Sequence, residues 1–145
     1  MRIPLAIAFA INVCAATPAA AGDTVGQPAA LEHCSAHSQA EIRTCLMSQA
    51  RQSEAAVRKA ESSVLTAILT WDEDEKYITK AKDQLNLSKK RFAEYRDAQC
   101  AFHTSLGGGA IMNGLEQRRL ACISDLNNNQ ARLYLVEAST LPSRK

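Results

Sequence analysis

The stretch CAFHTSLGGGAIMNGLEQRRLAC, residues 100–122, holds the one clear loop of this chain, from Ser105 to the glycines at 107–109. The residues on both sides of these glycines are mostly good helix formers. Cys100 and Cys122 are equidistant from Ile111, which sits beside the glycine turn. Residues equidistant from the turn of an antiparallel helical hairpin face each other, within the reach of a disulfide. The stretch therefore predicts a hairpin closed by a Cys100–Cys122 bond.

Outside this stretch, helix-breaking residues are sparse. No proline lies between Pro28 and Pro142, and no glycine lies between Gly26 and Gly107. So long a stretch without breakers favours helix. We predict an all-α protein: a three-helix antiparallel bundle, or a long helical hairpin with an N-terminal arm, spanning residues 38–140.

Apolar periodicity places the three helices. The first begins at a capping box of Ser38 and Glu41 and runs to about Thr70. The second follows the acidic run Asp72 to Glu75, whose carboxylates suit a first helical turn, although one bent helix through Trp71 is an alternative. The third runs from about Asn113 to Leu141-Pro142, with a frayed tail beyond. The predicted inner faces of the second and third helices comprise Ile78, Ala81, Leu85, Phe92, Tyr95 and Phe102, and Leu115, Cys122, Leu126, Leu133 and Val136.

The N-terminus indicates export. Arg2 precedes an apolar run from Ile3 to Val13, and Ala19 to Ala21 offer a small-residue cleavage site. We predict a signal peptide over residues 1–21, with Cys14 discarded unlipidated because Val13 is not the small residue that a lipobox requires. The mature protein is then periplasmic or secreted, without stable membrane insertion, and an irregular lead spans residues 22–37.

Four cysteines remain in the predicted mature chain, and an even number in an exported protein indicates disulfides. With Cys100 and Cys122 paired, Cys34 and Cys45 form the second bond. A metal site is the alternative, because His33, Cys34, His37 and Cys45 are the donor types of structural zinc. Their spacing differs from that of a zinc finger, and an oxidising compartment favours the disulfide. We expect no metal and no cofactor.

Charge and motifs exclude two classes of function. The chain has 17 Lys and Arg against 15 Asp and Glu, and its basic residues are dispersed, so we expect no nucleic-acid partner. Neither a Gly-x-Ser-x-Gly nor a His-Glu-x-x-His motif occurs. Asp97, His103 and Ser105 are too close in sequence on one helix end to form a catalytic triad. The sequence indicates a binding protein rather than an enzyme.

The segment FAEYRDAQC, residues 92–100, with the glycine loop and Cys122, resembles the family named after the lysozyme inhibitor LprI. Its motif residues here are Phe92, Tyr95, Arg96 and Asp97. Phe92 stands where the family usually has tryptophan. The resemblance implies a lysozyme-type partner. From the residues themselves, we expect Tyr95 to enter the core while Arg96 and Asp97 bond between helices.

Two segments are candidates for partner binding. The acidic run would steer a basic lysozyme, and the glycine loop would enter its sugar cleft and block it sterically. An envelope or secretion-system subunit is the alternative partner. The candidate residues are Asp72, Glu73, Asp74, Glu75, Ser105, Gly107, Gly108 and Gly109.

Overall fold

The computed structural model describes residues 28–144, and the predicted signal peptide, its cleavage site and Cys14 lie outside this range. Four helices follow one another along the chain, and the described residues contain no β-strand beyond one isolated bridge between Trp71 and Ser143. The predicted all-α class is therefore confirmed. The helices are α1 (Ala29–Cys34), α2 (Gln39–Leu69), α3 (Glu75–Ser105) and α4 (Met112–Thr140).

The first long helix begins where its capping residues predict. The Ser38 backbone N–H and hydroxyl donate to the Glu41 carboxylate over 3.0 Å and 2.6 Å. These two hydrogen bonds lower the pKa of Glu41 from its ordinary value of 4.5. The Ser38–Glu41 pair therefore stabilises the start of α2 most strongly when the carboxyl group is ionised.

The acidic run separates two helices. Helix α2 ends at Leu69, Asp74 is the N-cap of α3, and Glu75 is its first residue. The alternative of one bent helix through Trp71 is wrong. The break needs neither glycine nor proline, because the chain turns through residues 70–74 and the backbone there bonds to the C-terminal tail.

That tail is tied down. The Asp72 N–H donates to the Pro142 carbonyl over 3.0 Å, and the Arg144 N–H donates to the Thr70 carbonyl over 2.9 Å. The Arg144 guanidinium also donates to the Glu73 carbonyl. The prediction of a frayed tail is therefore wrong for the described residues, because long-range backbone bonds hold it beside the corner between α2 and α3.

Helices α2 and α4 run parallel, side by side. Arg43 meets Glu116, and Ser53 meets Asn127, at sequence separations of 73 and 74 residues. A nearly constant separation is the signature of parallel neighbours. Between the two helices the Asn127 amide, fully buried, donates to the Ser53 hydroxyl over 3.1 Å, and that hydroxyl donates to the Ala50 carbonyl. These bonds fix how α2 sits along α4.

Helix α3 runs antiparallel to α4. Cys100 pairs with Cys122, and further along α3 towards its start Ser88 pairs with Tyr134, their hydroxyls 3.3 Å apart. The partner of a residue in α3 therefore lies later in α4 when the α3 residue lies earlier, which is the pairing of antiparallel helices. The main apolar cluster lies where α2, α3 and α4 meet, and it comprises Val57, Ala60, Val64, Ile68, Ile78, Leu85, Ala131 and Tyr134.

The predicted irregular lead contains a helix, which corrects the sequence analysis. The N–H groups of Ala29 and Ala30 donate to the Asp125 carboxylate over 2.7 Å and 3.1 Å. This carboxylate satisfies N–H groups that a helix start leaves without partners. Helix α1 depends on a residue almost 100 positions away, which local sequence patterns do not reveal.

Four residues assigned to inner faces are exposed: Tyr95, Phe102, Leu133 and Val136. Helix α4 instead turns the small Ala131, together with Tyr134, towards the main apolar cluster. Helix α3 packs on one side only, so residues flanking its buried stripe face water. Spacings of three, four and seven therefore identified the helices but not which flank is covered.

Candidate functional site

The turn between α3 and α4 is compact and hydrogen-bonded. The Gly107 N–H donates to the Thr104 carbonyl over 3.0 Å, and the Ala110 N–H donates to the Gly107 carbonyl over 3.1 Å. Gly108 has a φ of +55°, a left-handed conformation that favours glycine. The predicted loop therefore lies at the expected turn, although Ser105 is still the last residue of α3. The backbone of the turn is bonded to itself and to the end of α3.

The turn is anchored to the helices beneath it. The predicted Cys100–Cys122 bond is present, with a Cα–Cα distance of 5.6 Å, and it joins α3 to α4. The Arg118 guanidinium donates to the His103 carbonyl over 3.4 Å. The Thr104 hydroxyl donates to the Cys100 carbonyl over 2.6 Å. These bonds hold the end of the hairpin in one shape.

Large apolar side chains surround the turn and face water. We call this surface the apolar tip; it consists of Phe102, Leu106, Ile111 and Met112, whose exposed fractions are 58%, 61%, 78% and 85%. Contiguous exposed apolar side chains are typical of interaction surfaces. Tyr95, 55% exposed, lies seven residues before Phe102 on α3 and so extends the same face.

The apolar tip was not identified from the sequence. Ile111 and Met112 precede the predicted start of the third helix at about Asn113, and Phe102 was assigned to the core. A signal was nevertheless present, because apolar residues at the closed end of a hairpin have no further layer to cover them.

The segment that carries the apolar tip contains few charges, and the cation that contacts it is Arg118, which is bonded to the His103 carbonyl. No Asp, Glu, Lys or Arg occurs between Asp97 and Glu116. Glu116 itself is engaged, since its carboxylate accepts a hydrogen bond from the Arg43 Nε over 2.6 Å. That bond lowers the pKa of Glu116 below its ordinary 4.5 and raises the pKa of Arg43. The pair joins the starts of α2 and α4 directly below the tip.

The two candidate binding segments do not form one surface. The acidic run precedes α3 and the glycine loop follows it, and α3 has 31 residues. At about 1.5 Å per residue the two segments lie roughly 46 Å apart. Asp72, Glu73, Asp74 and Glu75 are all exposed at the end of the bundle opposite the tip. Ser105 uses its hydroxyl within the helix, donating to the Phe102 carbonyl over 2.7 Å.

The residues of the Tyr-Arg-Asp motif have different surroundings. Phe92 is half-buried against the main apolar cluster, whereas Tyr95 faces water, so the expected core position of Tyr95 is wrong. Arg96 donates to the Asp97 carboxylate over 2.8 Å and, between helices, to the buried Asn127 side chain over 3.4 Å. Arg96 therefore bonds between helices as expected, while within residues 28–144 Asp97 bonds only to its sequence neighbour Arg96.

The predicted second disulfide is also present. Cys34 and Cys45 have a Cα–Cα distance of 5.8 Å, and the bond attaches α1 to α2. Both sulfurs are consumed by this bond, and His33 and His37 are exposed. Within residues 28–144 no group of three or more His, Cys, Asp and Glu side chains is placed to hold a metal ion.

The sequence matches the model of a known family. Within the described range, no helix is both long enough and apolar enough to span a membrane. No curated protein and no solved structure matches the chain. The model of the family described as lysozyme inhibitor LprI matches residues 32–134, which include all four helical segments except the first residues of α1 and the end of α4. Since this match covers more than two thirds of the 145 residues, the chain belongs to the lysozyme inhibitor LprI family.

Proposed function

We propose that this protein is an exported inhibitor that binds a muramidase of the lysozyme type and covers its sugar cleft with the apolar tip. The observation that carries this proposal is the combination of four exposed apolar side chains with a hairpin end held by a disulfide. Membership of the lysozyme inhibitor LprI family supplies the class of partner.

The mechanism is steric occlusion without covalent chemistry. Phenylalanine and methionine are enriched at the centres of protein interfaces. Fully burying a Phe, Ile or Met side chain contributes roughly 1.5–3 kcal/mol before the costs of association are subtracted. The bonds beneath the tip reduce the ordering that binding would otherwise require. Phe102, Ile111 and Met112 thus present apolar area on a preformed backbone.

The sequence suggested that the acidic run steers a basic lysozyme, but this proposal gives the acidic run no part in binding. It lies about 46 Å from the tip along α3. Charges act over a Debye length of roughly 8–10 Å at physiological salt. We therefore propose that Asp72 to Glu75 make no contact with a partner seated on the tip.

Export is part of the proposal. Two disulfides in a chain of this size are typical of an oxidising compartment, and residues 1–21 match the pattern of a cleaved signal peptide. The proposed location is the periplasm or the medium, where the protein would meet a lysozyme. No nucleic acid, metal or cofactor enters the mechanism.

The test is lysis of peptidoglycan by a c-type lysozyme in the presence of purified mature protein. Leu106→Ser and Met112→Ser should each weaken inhibition about tenfold, which corresponds to about 1.4 kcal/mol of binding free energy. Leu133→Ser is the matched control, because Leu133 has the same 61% exposure as Leu106 but lies on α4 away from the tip. It should inhibit like the wild type.

A second arm separates the tip from the acidic end. Changing Asp72, Glu73, Asp74 and Glu75 together to their amides should leave inhibition at physiological salt within about twofold. If this amide variant lost most of its inhibition while Leu106→Ser and Met112→Ser inhibited like the wild type, the contact would lie at the acidic end instead of at the tip. Full lysis at a large excess of wild-type protein would contradict lysozyme inhibition itself.

A further inference from the structure

An apolar groove lies between α2, α3 and α4 at the end of the bundle opposite the tip. Its volume of about 350 Å³ is at the lower end of the roughly 300–1,000 Å³ that small-molecule sites occupy. The floor is apolar. Trp71, just after the end of α2, and Leu141, just after the end of α4, also line the groove. The apolar lining comprises Val64, Ile68, Trp71, Ala81, Leu85 and Leu141.

Polar groups converge on the same groove from two helices. Gln84 and Ser88 line it from α3, and Tyr134 and Glu137 line it from α4. The Ser88 Oγ and the Tyr134 hydroxyl lie 3.3 Å apart and satisfy each other in part. An apolar pocket with a few convergent polar groups is the usual form of a binding site.

Charge selects the class of ligand. Among the described residues that line the groove, Glu137 is the only charged one, and it is exposed at the rim. None of the ion pairs formed within residues 28–144 includes Glu137. An ammonium group beside it would gain Coulomb attraction and donate hydrogen bonds to carboxylate and hydroxyl oxygens, whereas a carboxylate ligand would be repelled.

We infer that this groove is a second binding site, which takes a small primary amine with an apolar body. The body lies against Val64, Ile68 and Leu85, and the ammonium group faces Glu137. At about 30 Å³ per water-sized group, the groove has room for roughly ten non-hydrogen atoms. The site shares no residue with the apolar tip, so it stands independently of the lysozyme proposal.

Trp71 provides the measurement, because it is the only tryptophan of the chain and lines the groove. The full mature protein is titrated with n-heptylamine, n-heptanol and heptanoate, followed by Trp71 emission and by calorimetry. Heptylamine should bind saturably at one site, with a dissociation constant below about 10 mM. Heptanol should bind up to about fivefold more weakly, in line with the 0.2–1 kcal/mol of an exposed ion pair, and heptanoate more weakly still.

Three variants test the geometry. Glu137→Gln should remove the preference for heptylamine over heptanol. Ala81→Phe fills the groove and should weaken both ligands at least tenfold. Asp83→Asn removes a carboxylate from the same end of the molecule but outside the groove lining, and it should bind heptylamine like the wild type. The inference is overturned if heptylamine gives no saturable signal, if heptanoate binds as tightly as heptylamine, or if Ala81→Phe binds like the wild type.

Discussion

Alanine substitutions at the three consecutive glycines of the turn give a graded test of its packing. A Cβ on Gly107 would lie 2.5 Å from Leu115 Cδ2 and 3.1 Å from the Thr104 carbonyl oxygen. The Leu115 methyl group is the end of a side chain that can rotate, whereas the Thr104 carbonyl is backbone and would have to shift by a few tenths of an ångström. Overpacking of this kind costs typically 1–3 kcal/mol, so we expect Gly107→Ala to lower the free energy of unfolding by about 2 kcal/mol.

The other two glycines are the matched comparisons. At Gly108 there is open space, but a φ of +55° is unfavourable for alanine, so we expect a loss of about 1 kcal/mol. At Gly109 a Cβ meets nothing within 4 Å. Alanine there restricts the unfolded chain, so we expect no loss or a gain of up to about 0.5 kcal/mol.

The assay is urea unfolding followed by circular dichroism, with all disulfides intact and the slope compared among the variants. The expected order of stability is Gly109→Ala, then Gly108→Ala, then Gly107→Ala. The reasoning is refuted if Gly107→Ala is as stable as the wild type. It is also refuted if Gly109→Ala loses as much as Gly107→Ala, since a general intolerance of the turn would then explain both.

Three further predictions concern what holds the bundle. Removing the 22-residue Cys100–Cys122 link with a double serine variant should lower the free energy of unfolding by about 3 kcal/mol and weaken lysozyme inhibition, both measured against the intact protein. Asp125→Asn should cost about 1 kcal/mol and speed hydrogen exchange in α1 selectively, whereas uniform exchange would contradict its capping role. Because Arg43 lowers the pKa of Glu116 in the folded state, the contribution of this pair is complete above pH 4.5 and is lost as the pH falls through the folded value. Glu116→Gln should therefore flatten the acid side of the stability profile, and an unchanged slope would contradict this.

The three long helices and both disulfides were predictable because their causes are local. Ser38 and Glu41 mark a helix start within four residues, and Cys100 and Cys122 are placed by their equal distance from one turn. Helix α1 and the pinned C-terminal tail were not predictable. Asp125 bonds to α1 across 96 residues of sequence, and Arg144 bonds to Glu73 across 71. Local periodicity carries no information on such pairs.

The candidate site was predicted in part for the same reason. Three consecutive glycines, Gly107 to Gly109, predict a turn, and the turn between α3 and α4 contains them. The apolar character of the turn was missed because the spacing of Phe102 is the same whether its side of the helix is buried or exposed. Only the packing of α3 on a single side shows that this flank is uncovered.

The two disulfides have a consequence for how the molecule can come apart. Each bond closes within one half of the chain: Cys34–Cys45 within α1 and α2, and Cys100–Cys122 within α3 and α4. No covalent link other than the backbone at residues 70–74 crosses between the halves within residues 28–144. A single protease cut there would yield two fragments, separable by denaturant without any reductant. For the same reason, an exchange of halves between two molecules, with α2 of one copy packed against α4 of the other, would require no disulfide to break.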